Sequence, residues 1–245
     1  KMIYCFDLDN TICATPSSKK YEESVPYRPV INKINRLKTR GFYIKIFTAR
    51  GSGSGIDWSE LTEKQLKTWG VDYDELILGK PSFDIFIDDK ARSAYNWRRE
   101  NDLSITGLVA STFDLLHAGH CLFLKEAKSV CDFLYVALQT DPTVDDHKDR
   151  PLQEPKNSPI QSLEERRIQL EAVSYVDEII EYTTEEHLRS ICKRIKPNIR
   201  ILGSDYQGKH ATGQEYSDGV IYHQRDHGWS TSELRSRVNK GLNGS

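Results

Sequence analysis

The string T-F-D-L-L-H-A-G-H at residues 112–120 places His117 and His120 on either side of Gly119. An apolar run precedes this string and an amphipathic helical pattern follows it, so the histidines are expected at the start of a helix. Free N–H groups and the positive dipole end of a helix favour anions, imidazoles donate to phosphate oxygens, and glycine permits close backbone approach. The spacing therefore predicts a phosphate site. Zinc is disfavoured because no third ligand with metal spacing lies nearby.

A second set of polar residues follows apolar runs in the first hundred residues. Because the carboxyl ends of parallel strands meet at one edge of a sheet, ligands bind there. Paired carboxylates suit Mg²⁺, an aspartate can attack phosphorus, and Lys with Thr can orient a phosphoryl group. The set predicts phosphate-ester chemistry and comprises Asp7, Asp9, Thr48, Lys80, Asp88 and Asp89.

Short apolar runs alternate with amphipathic helical stretches, which indicates βαβ units and parallel sheets covered on both faces. The pattern restarts after a polar helix predicted at Ala91–Arg99. We therefore predict two doubly wound α/β domains, residues 1–102 and 103–245. The predicted strands are Ile3–Phe6, Tyr43–Phe47, Leu76–Leu78, Ile85–Ile87, Ile105–Ala110, Phe133–Leu138, Glu178–Tyr182, Ile199–Leu202 and Val220–His223.

The first domain resembles the haloacid dehalogenase (HAD) superfamily of phosphatases. The D-x-D-x-T signature matches at Asp7, Asp9 and Thr11, and the stretch G-K-P-S-F-D-I-F-I-D-D-K-A resembles small phosphatases encoded with bacterial capsule-biosynthesis genes. The chain between Asp9 and the second strand is too short for a large cap domain. The resemblance implies that Asp7 is the nucleophile and Asp9 the general acid/base, that Thr48 and Lys80 bind phosphate, and that Asp7, Asp9, Asp88 and Asp89 hold Mg²⁺.

The second domain resembles the cytidylyltransferase-like nucleotidyltransferases, a Rossmann-like family with an H-x-G-H motif, over residues 105–239. An E-x-R helix start, a G-S-D-Y strand end at 203–206 and the string R-D-H-G-W-S-T at 225–231 agree with it. The family usually has Gly where this chain has Ser111. The resemblance implies that His117 and His120 are catalytic and that the nucleotide is bound by Thr112, Phe113, Asp114, Gly119, Lys148, Arg166, Asp205, Arg225, Ser230 and Thr231.

These enzymes join a substrate phosphate to the α-phosphorus of a nucleoside triphosphate that carries Mg²⁺, and they release pyrophosphate. The string at residues 225–231 is most similar to glycerol-phosphate cytidylyltransferases, which favours CTP and a small phosphorylated polyol. An ATP-dependent adenylyltransferase for a heptose phosphate is the alternative. H-x-G-H also occurs in class I tRNA synthetases, but W-S-T-S at 229–232 stands where those enzymes carry their lysine-rich loop.

Fusion of a phosphatase to a nucleotidyltransferase suggests one pathway to a nucleotide-activated precursor of a surface polysaccharide such as a capsule. The 245 residues carry 34 Lys and Arg against 36 Asp and Glu, a net charge of −2, which disfavours nucleic acid as a partner. No apolar run is long enough to span a bilayer, and five cysteines form no C-x-x-C pair. We therefore expect a cytoplasmic enzyme that uses small molecules, with a homodimer suggested by related transferases.

Overall fold

The computed structural model describes residues 2–144 and 157–243, and the chain divides into two compact units, Lys1–Ile105 and Thr106–Ser245. No helix in these described ranges is both long enough and apolar enough to cross a membrane. The first unit contains, in chain order, β1 (Ile3–Phe6), β2 (Cys13–Ala14), β3 (Val25–Pro26), α1 (Arg28–Thr39), β4 (Tyr43–Phe47), α2 (Ser59–Trp69), β5 (Glu75–Ile77) and α3 (Ala94–Glu100).

A three-stranded parallel sheet in the order β1-β4-β5 forms the frame of the first unit, and β2 and β3 form a short antiparallel ribbon. Alternation along β4 buries Ile44 and Ile46 completely. The apolar residues of α1 recur at positions i, i+1, i+4 and i+7, so they form one face that packs on the sheet. This face consists of Val30, Ile31, Ile34 and Leu37.

The strand predicted at Ile85–Ile87 is wrong for the structure described here. These residues have no ladder partner, and Ile85 and Ile87 are 78% and 92% exposed. β1 pairs only with β4, so the edge where a further strand would add is open in the described residues. A short apolar run signals a capacity for burial but does not specify a partner, which is why the pattern misled. The helix predicted at Ala91–Arg99 begins later, at Ala94, after Ser93 caps it.

The second unit is a five-stranded parallel sheet whose strands follow the order β10-β9-β6-β7-β8. The chain runs outward from the central β6 to β8 and then returns to the other side of β6, so the strand order reverses between β6 and β9. Ligands of open α/β sheets bind at such a reversal. The elements are β6 (Thr106–Ser111), α4 (Ala118–Ser129), β7 (Phe133–Gln139), α5 (Leu163–Glu171), β8 (Glu178–Tyr182), α6 (Glu185–Ile195), β9 (Ile199–Gly203), β10 (Gly219–His223) and α7 (Thr231–Asn243).

Both units are therefore α/β structures with parallel sheets, as predicted. The core of the second unit includes Leu108 and Ala137 from neighbouring strands, against which α6 packs Leu188, Ile191 and Cys192. This packing fixes β6, and β6 in turn delivers residues 112–120 to the carboxyl edge of the sheet.

Candidate active sites

The turn between β6 and α4 is strained. Phe113 and Leu115 both adopt the left-handed region, with φ of 50° and 51°, which is unfavourable for residues with a Cβ. The conformation is held because the Leu115 N–H donates to Gln161 Oε1 at 2.7 Å and the Phe113 side chain is buried, with its ring 5.3 Å from that of His120. Strain of this kind persists where the surrounding structure enforces it, commonly at functional sites. The buried Phe113 ring packs beside His120, and the nucleotide contact predicted for Phe113 stays a prediction.

Asp114 anchors the same turn. Its Oδ1 accepts hydrogen bonds from the N–H groups of Ile160 and Gln161, both at 3.0 Å, and its Oδ2 pairs with Arg235 Nη2 at 2.7 Å. Burial by itself raises the pKa of Asp114, but these three donors outweigh it and hold the pKa below its ordinary value. The carboxylate is therefore bound by three donors of the protein itself, and the nucleotide contact predicted for Asp114 stays a prediction.

His117 and His120 lie together at the start of α4. Their rings stack with centroids 3.9 Å apart, and Nδ1 of each is buried without a hydrogen-bond partner. Burial lowers the pKa of His120 to about 3, assisted by the charges of His117 and Arg225. Burial and then the charges of His227, Arg225 and Arg237 lower the pKa of His117. Both rings are thus neutral near pH 7, each with one N–H to donate.

Residue 119 must be glycine because the backbone of Trp229 and the rings of His117 and His227 lie too close to leave room for a side chain. A Cβ at this position would lie 2.7 Å from the Trp229 carbonyl oxygen and 2.9 and 3.0 Å from Cε1 of His227 and His117. No other residue type fits without moving the backbone of the segment before α7. The glycine therefore lets that segment sit against the first turn of α4.

The N-terminus of α7 adds polar groups beside the histidines. Ser230 Oγ accepts the Glu233 N–H at 3.1 Å, which caps the helix. Thr231 Oγ1 lies 3.4 Å from His117 Nε2 and donates to the Asp114 carbonyl at 3.3 Å. The structure thus brings His117, Gly119, Ser230 and Thr231 together, and two helix N-termini converge on one region that favours anions.

Arg166 binds backbone carbonyls in this structure, and the phosphate contact predicted for it stays a prediction. Its side chain is buried, and its guanidinium donates to the carbonyls of Thr112 and Gln139 at 2.8 and 2.7 Å and of Thr140 at 2.5 Å. Its Nε donates to the carbonyl of Gln161. Arg166 therefore links the chain segments that follow β6 and β7. The Thr112 group that takes part in this link is its backbone carbonyl.

The remaining predicted nucleotide residues lie at the ends of β9 and β10. Asp205 and Arg225 are both about half exposed and form an ion pair at 3.5 Å beside Gly203, where a Cβ would collide with the Asp205 carboxylate. Arg225 also contributes to the lowered pKa of His117 and His120, so its charge reaches the stacked pair. Lys148 lies outside the described residues.

In the first unit Asp7 forms an ion pair with Lys80. The Lys80 Nζ lies 3.1 Å from Asp7 Oδ2. Burial raises the pKa of Asp7 even though Lys80 and the Leu8 N–H oppose the shift. Thr48 is fully buried, and its carbonyl accepts the Lys80 N–H at 3.1 Å, so β4 and β5 position Thr48 and Lys80 together.

Arg50 borders the D-x-D motif, although it was not among the candidate site residues predicted from the sequence. Its buried guanidinium makes three hydrogen bonds of 2.8 to 3.2 Å to the Asp9 carboxylate and one of 2.7 Å to Gln65 Oε1. Thr15 Oγ1 donates to the same carboxylate at 2.6 Å. The available signal was the strand end T-A-R, in which Arg50 follows Thr48 by two residues.

Asp88 and Asp89 do not join Asp7 and Asp9. They lie in the exposed segment where the predicted strand is absent, and no group of three or more His, Cys, Asp or Glu side chains in the described ranges could hold a metal ion. Asp7 and Asp9 face Lys80 and Arg50 instead. In this arrangement the predicted ligands do not form a Mg²⁺ site.

Comparison with known proteins gives the class of the second unit. A sequence model described as cytidylyltransferase-like matches residues 108–237. Since this match covers more than half of the chain, the chain belongs to the cytidylyltransferase-like family of nucleotidyltransferases.

Individual relatives match about half of the chain or less. The bifunctional protein HldE of Helicobacter hepaticus is 31% identical over 128 residues, 52% of this chain and 25% of that protein. FAD synthase of Pyrococcus horikoshii is 38% identical over 105 residues, 43% of this chain and 66% of that enzyme. The structure of a lipopolysaccharide core biosynthesis protein from Thermoplasma volcanium is 25% identical, covering 56% of this chain and 88% of that chain, with a TM-score of 0.35. The chain thus spans about a quarter of the HldE relative.

Proposed function

We propose that the second unit transfers a cytidylyl group from CTP to a small phosphorylated polyol such as glycerol phosphate. The observation that carries the proposal is the pair of neutral, stacked imidazoles with unpartnered Nδ1 atoms at the start of α4. Thr231 at the start of α7 stands 3.4 Å from one of them. These groups form a preorganised set of donors for phosphate oxygens.

The reaction requires positioning and charge neutralisation. An oxygen of the acceptor phosphate attacks the α-phosphorus, and the bond from that phosphorus to the bridging oxygen breaks. Pyrophosphate leaves with the electron pair. His117 and His120 donate hydrogen bonds as charge develops on the phosphoryl oxygens, and the two helix N-termini favour the negative charge.

Magnesium would enter with the triphosphate. The nearby carboxylate of Asp114 is already engaged by three donors, and the described residues offer no cluster of metal ligands. A triphosphate-bound Mg²⁺ would neutralise charge on the phosphates. The protein therefore contributes imidazoles, hydroxyls and backbone N–H groups.

The identity of the nucleotide is tested by pyrophosphate release with CTP and ATP, each with glycerol phosphate and with a heptose phosphate. We expect the fastest release with CTP and glycerol phosphate. The second candidate is adenylyl transfer to a heptose phosphate, and the relative named FAD synthase, whose product contains an adenylyl group, favours ATP. Faster release with ATP would overturn the cytidylyl assignment and leave the family unchanged.

His120 tests the catalytic role of the imidazoles. His120→Ala removes a donor that acts mainly as charge develops, so turnover should fall by roughly 10² to 10³ while nucleotide binding weakens much less. His187→Phe, on the exposed side of α6, is the matched control and should not change turnover. Equal losses in turnover and affinity would contradict the assignment.

We further propose that residues 1–102 form a HAD-type phosphomonoesterase domain and residues 103–245 a transferase domain, acting in one pathway to a nucleotide-activated precursor of a surface polysaccharide. The Asp7–Lys80 and Asp9–Arg50 pairs at strand ends support this reading. Asp7 attacks phosphorus and forms an aspartyl-phosphate, and the ester oxygen leaves with the electron pair and takes a proton from Asp9, the general acid. Water, which returns a proton to Asp9, then cleaves the aspartyl-phosphate to phosphate and free Asp7. Asp88 and Asp89 would reach this site if residues 85–87 paired with the open edge of β1.

Asp7→Asn tests the two-site proposal. The substitution keeps the shape of the side chain but removes the nucleophile, so phosphate release should fall by at least ~10³-fold. Nucleotidyl transfer by the same protein should persist. Loss of both activities together would show that the two units do not act as separate sites.

A further inference from the structure

His227 lies within the R-D-H-G-W-S-T string, was not among the candidate site residues and borders the same site. Its Cε1 and that of His117 lie within 3.0 Å of the point that a Cβ on Gly119 would occupy. The two rings therefore flank Gly119 at the first turn of α4. The charge of His227 is the second contribution, after burial, to the lowered pKa of His117, which agrees with this closeness.

Both ring nitrogens of His227 are buried and have no hydrogen-bond partner. His223, in the same part of the unit, differs from His227 because its Nδ1 pairs with the Glu126 carboxylate. An imidazole always carries at least one N–H, and a buried donor without an acceptor costs free energy. A ring with two such nitrogens is expected where a ligand supplies the partner.

Trp229 and Gly119 hold the ring in place. The His227 and Trp229 rings stack with centroids 5.3 Å apart and an interplanar angle of 26°. The Trp229 carbonyl oxygen would lie 2.7 Å from a Gly119 Cβ, so the segment sits directly on α4. Trp229 is 48% exposed, so the stacked pair lies near the surface of the unit.

We propose that His227 is a third imidazole of the phosphate site and donates a hydrogen bond to the polyphosphate of the nucleotide and to the pyrophosphate that leaves. This inference rests on the proposed nucleotidyl transfer. With His117 and His120 it makes a three-ring donor set around Gly119. The ligand chemistry is that of a linear polyphosphate, recognised by imidazole N–H donors and helix N-termini.

The experiment measures binding of inorganic tripolyphosphate to the full chain by calorimetry. His227→Phe keeps the aromatic stack but removes both nitrogens, and affinity should fall about 10- to 100-fold, as for loss of a hydrogen bond to a charged group. His227→Gln retains a donor and should keep most of the affinity. His187→Phe should bind as the wild type does.

Unchanged affinity in His227→Phe, or a wild type that takes up no tripolyphosphate, overturns the proposal. If His227→Phe does not fold, the Cε1–H signal of His227 in the wild type, assigned by its absence in His227→Gln, must shift when tripolyphosphate is added. A signal that stays in place also overturns it. If tripolyphosphate binding depends on His227 but the protein transfers no nucleotide, only the proposed function is contradicted. If His227→Phe transfers nucleotide normally with an unchanged nucleotide KM, only this inference is contradicted.

Discussion

Each unit contains a fully buried arginine at its candidate site, and the two arginines differ in what they hold. Arg50 binds side chains, chiefly the Asp9 carboxylate and Gln65. Arg166 binds backbone carbonyls that follow two neighbouring strands, at Gln139 and Thr112. Arg50 therefore fixes the position of a charged side chain, whereas Arg166 fixes the backbone path of two loops.

The same difference extends to the groups presented to a ligand. In the first unit each aspartate of the D-x-D motif already faces a cation, Asp7 with Lys80 and Asp9 with Arg50. In the second unit His117 and His120 are neutral near pH 7, and the buried Nδ1 atom of each has no hydrogen-bond partner. The charged groups of the first site are therefore paired with one another, whereas the imidazole pair of the second site still lacks partners.

The largest effect is expected at Arg50. Arg50→Met leaves the Asp9 carboxylate without its buried partner, and loss of one member of such a pair typically costs about 3 to 5 kcal/mol of stability. We expect the lower end because a quarter of the Asp9 side chain is exposed. Three of the four tryptophans belong to this unit, so urea unfolding followed by tryptophan fluorescence measures it.

The matched control for Arg50 is Lys45→Met. Lys45 pairs with Glu75 at 2.8 Å, but both side chains are partly exposed. Surface pairs contribute at most about 1 kcal/mol. Similar losses in the two variants would mean that burial of Arg50 is not what makes its pairing important.

Arg166→Met should cost somewhat less, about 2 to 4 kcal/mol. The substitution fills the space but leaves buried carbonyls of Thr112 and Gln139 without a donor, at about 1 to 3 kcal/mol each before relaxation. Hydrogen exchange of β6 and β7 peptides in the full chain measures the loss. If only the α5 peptide were affected, Arg166 would not be a link between loops.

The sequence predicts the ranges of the strands better than it predicts which side chains contact each other. The ranges expected for β1, β4 and β8 agree with the structure, because alternating apolar residues and polar flanks mark such strands locally. The partnership of Arg50 with Asp9 depends on β4 lying parallel to β1, with Phe6 opposite Ile46. Asp9 comes three residues after Phe6 and Arg50 comes four residues after Ile46, so the two side chains lie side by side beyond the strand ends. Periodicity carries no information on strand order, so this pair was missed.

The histidine motif shows the same limit. Its string predicts a helix start, and His117 and His120 do begin α4. The approach of His227 to Gly119 requires the turn before α7, more than 100 residues away along the chain, to fold back onto α4. No local spacing encodes that contact. The single hint was a histidine in the string that leads into the serine and threonine of α7.

A smaller loss of stability is expected when the pH is lowered, because His120 is then protonated. The pKa of His120 is lowered to about 3, while an unfolded histidine titrates near 6.5. The folded state therefore favours the neutral ring, and this stability is present above about pH 6.5 and is lost as pH falls toward 3. At pH 5 the loss is on the order of 2 kcal/mol. In His120→Gln the stability measured by exchange of α4 peptides between pH 7 and pH 5 should change less, and an identical pH dependence would contradict the neutral buried ring.

The smallest effect concerns Asp114, a carboxylate at the site of the second unit that is paired with a cation, Arg235. Asp114→Asn keeps an oxygen for the N–H groups of Ile160 and Gln161 but removes the charge that faces Arg235. Because about a quarter of the Arg235 side chain is exposed, solvent replaces part of the interaction, and we expect a loss of about 1 kcal/mol at pH 7.

The sign of the pH dependence separates Asp114 from His120. The donors around Asp114 depress its pKa in the folded state, so its contribution is present above the unfolded value near 3.9 and is lost as pH falls below it. The stability difference between the wild type and Asp114→Asn should therefore be constant from pH 7 to about pH 5 and shrink only below about pH 4, whereas the His120 effect develops above that range. A difference that already shrinks between pH 7 and pH 5 would mean that Asp114 acts through the histidines, and the contrast between a paired carboxylate and unpaired imidazoles would not hold within this unit.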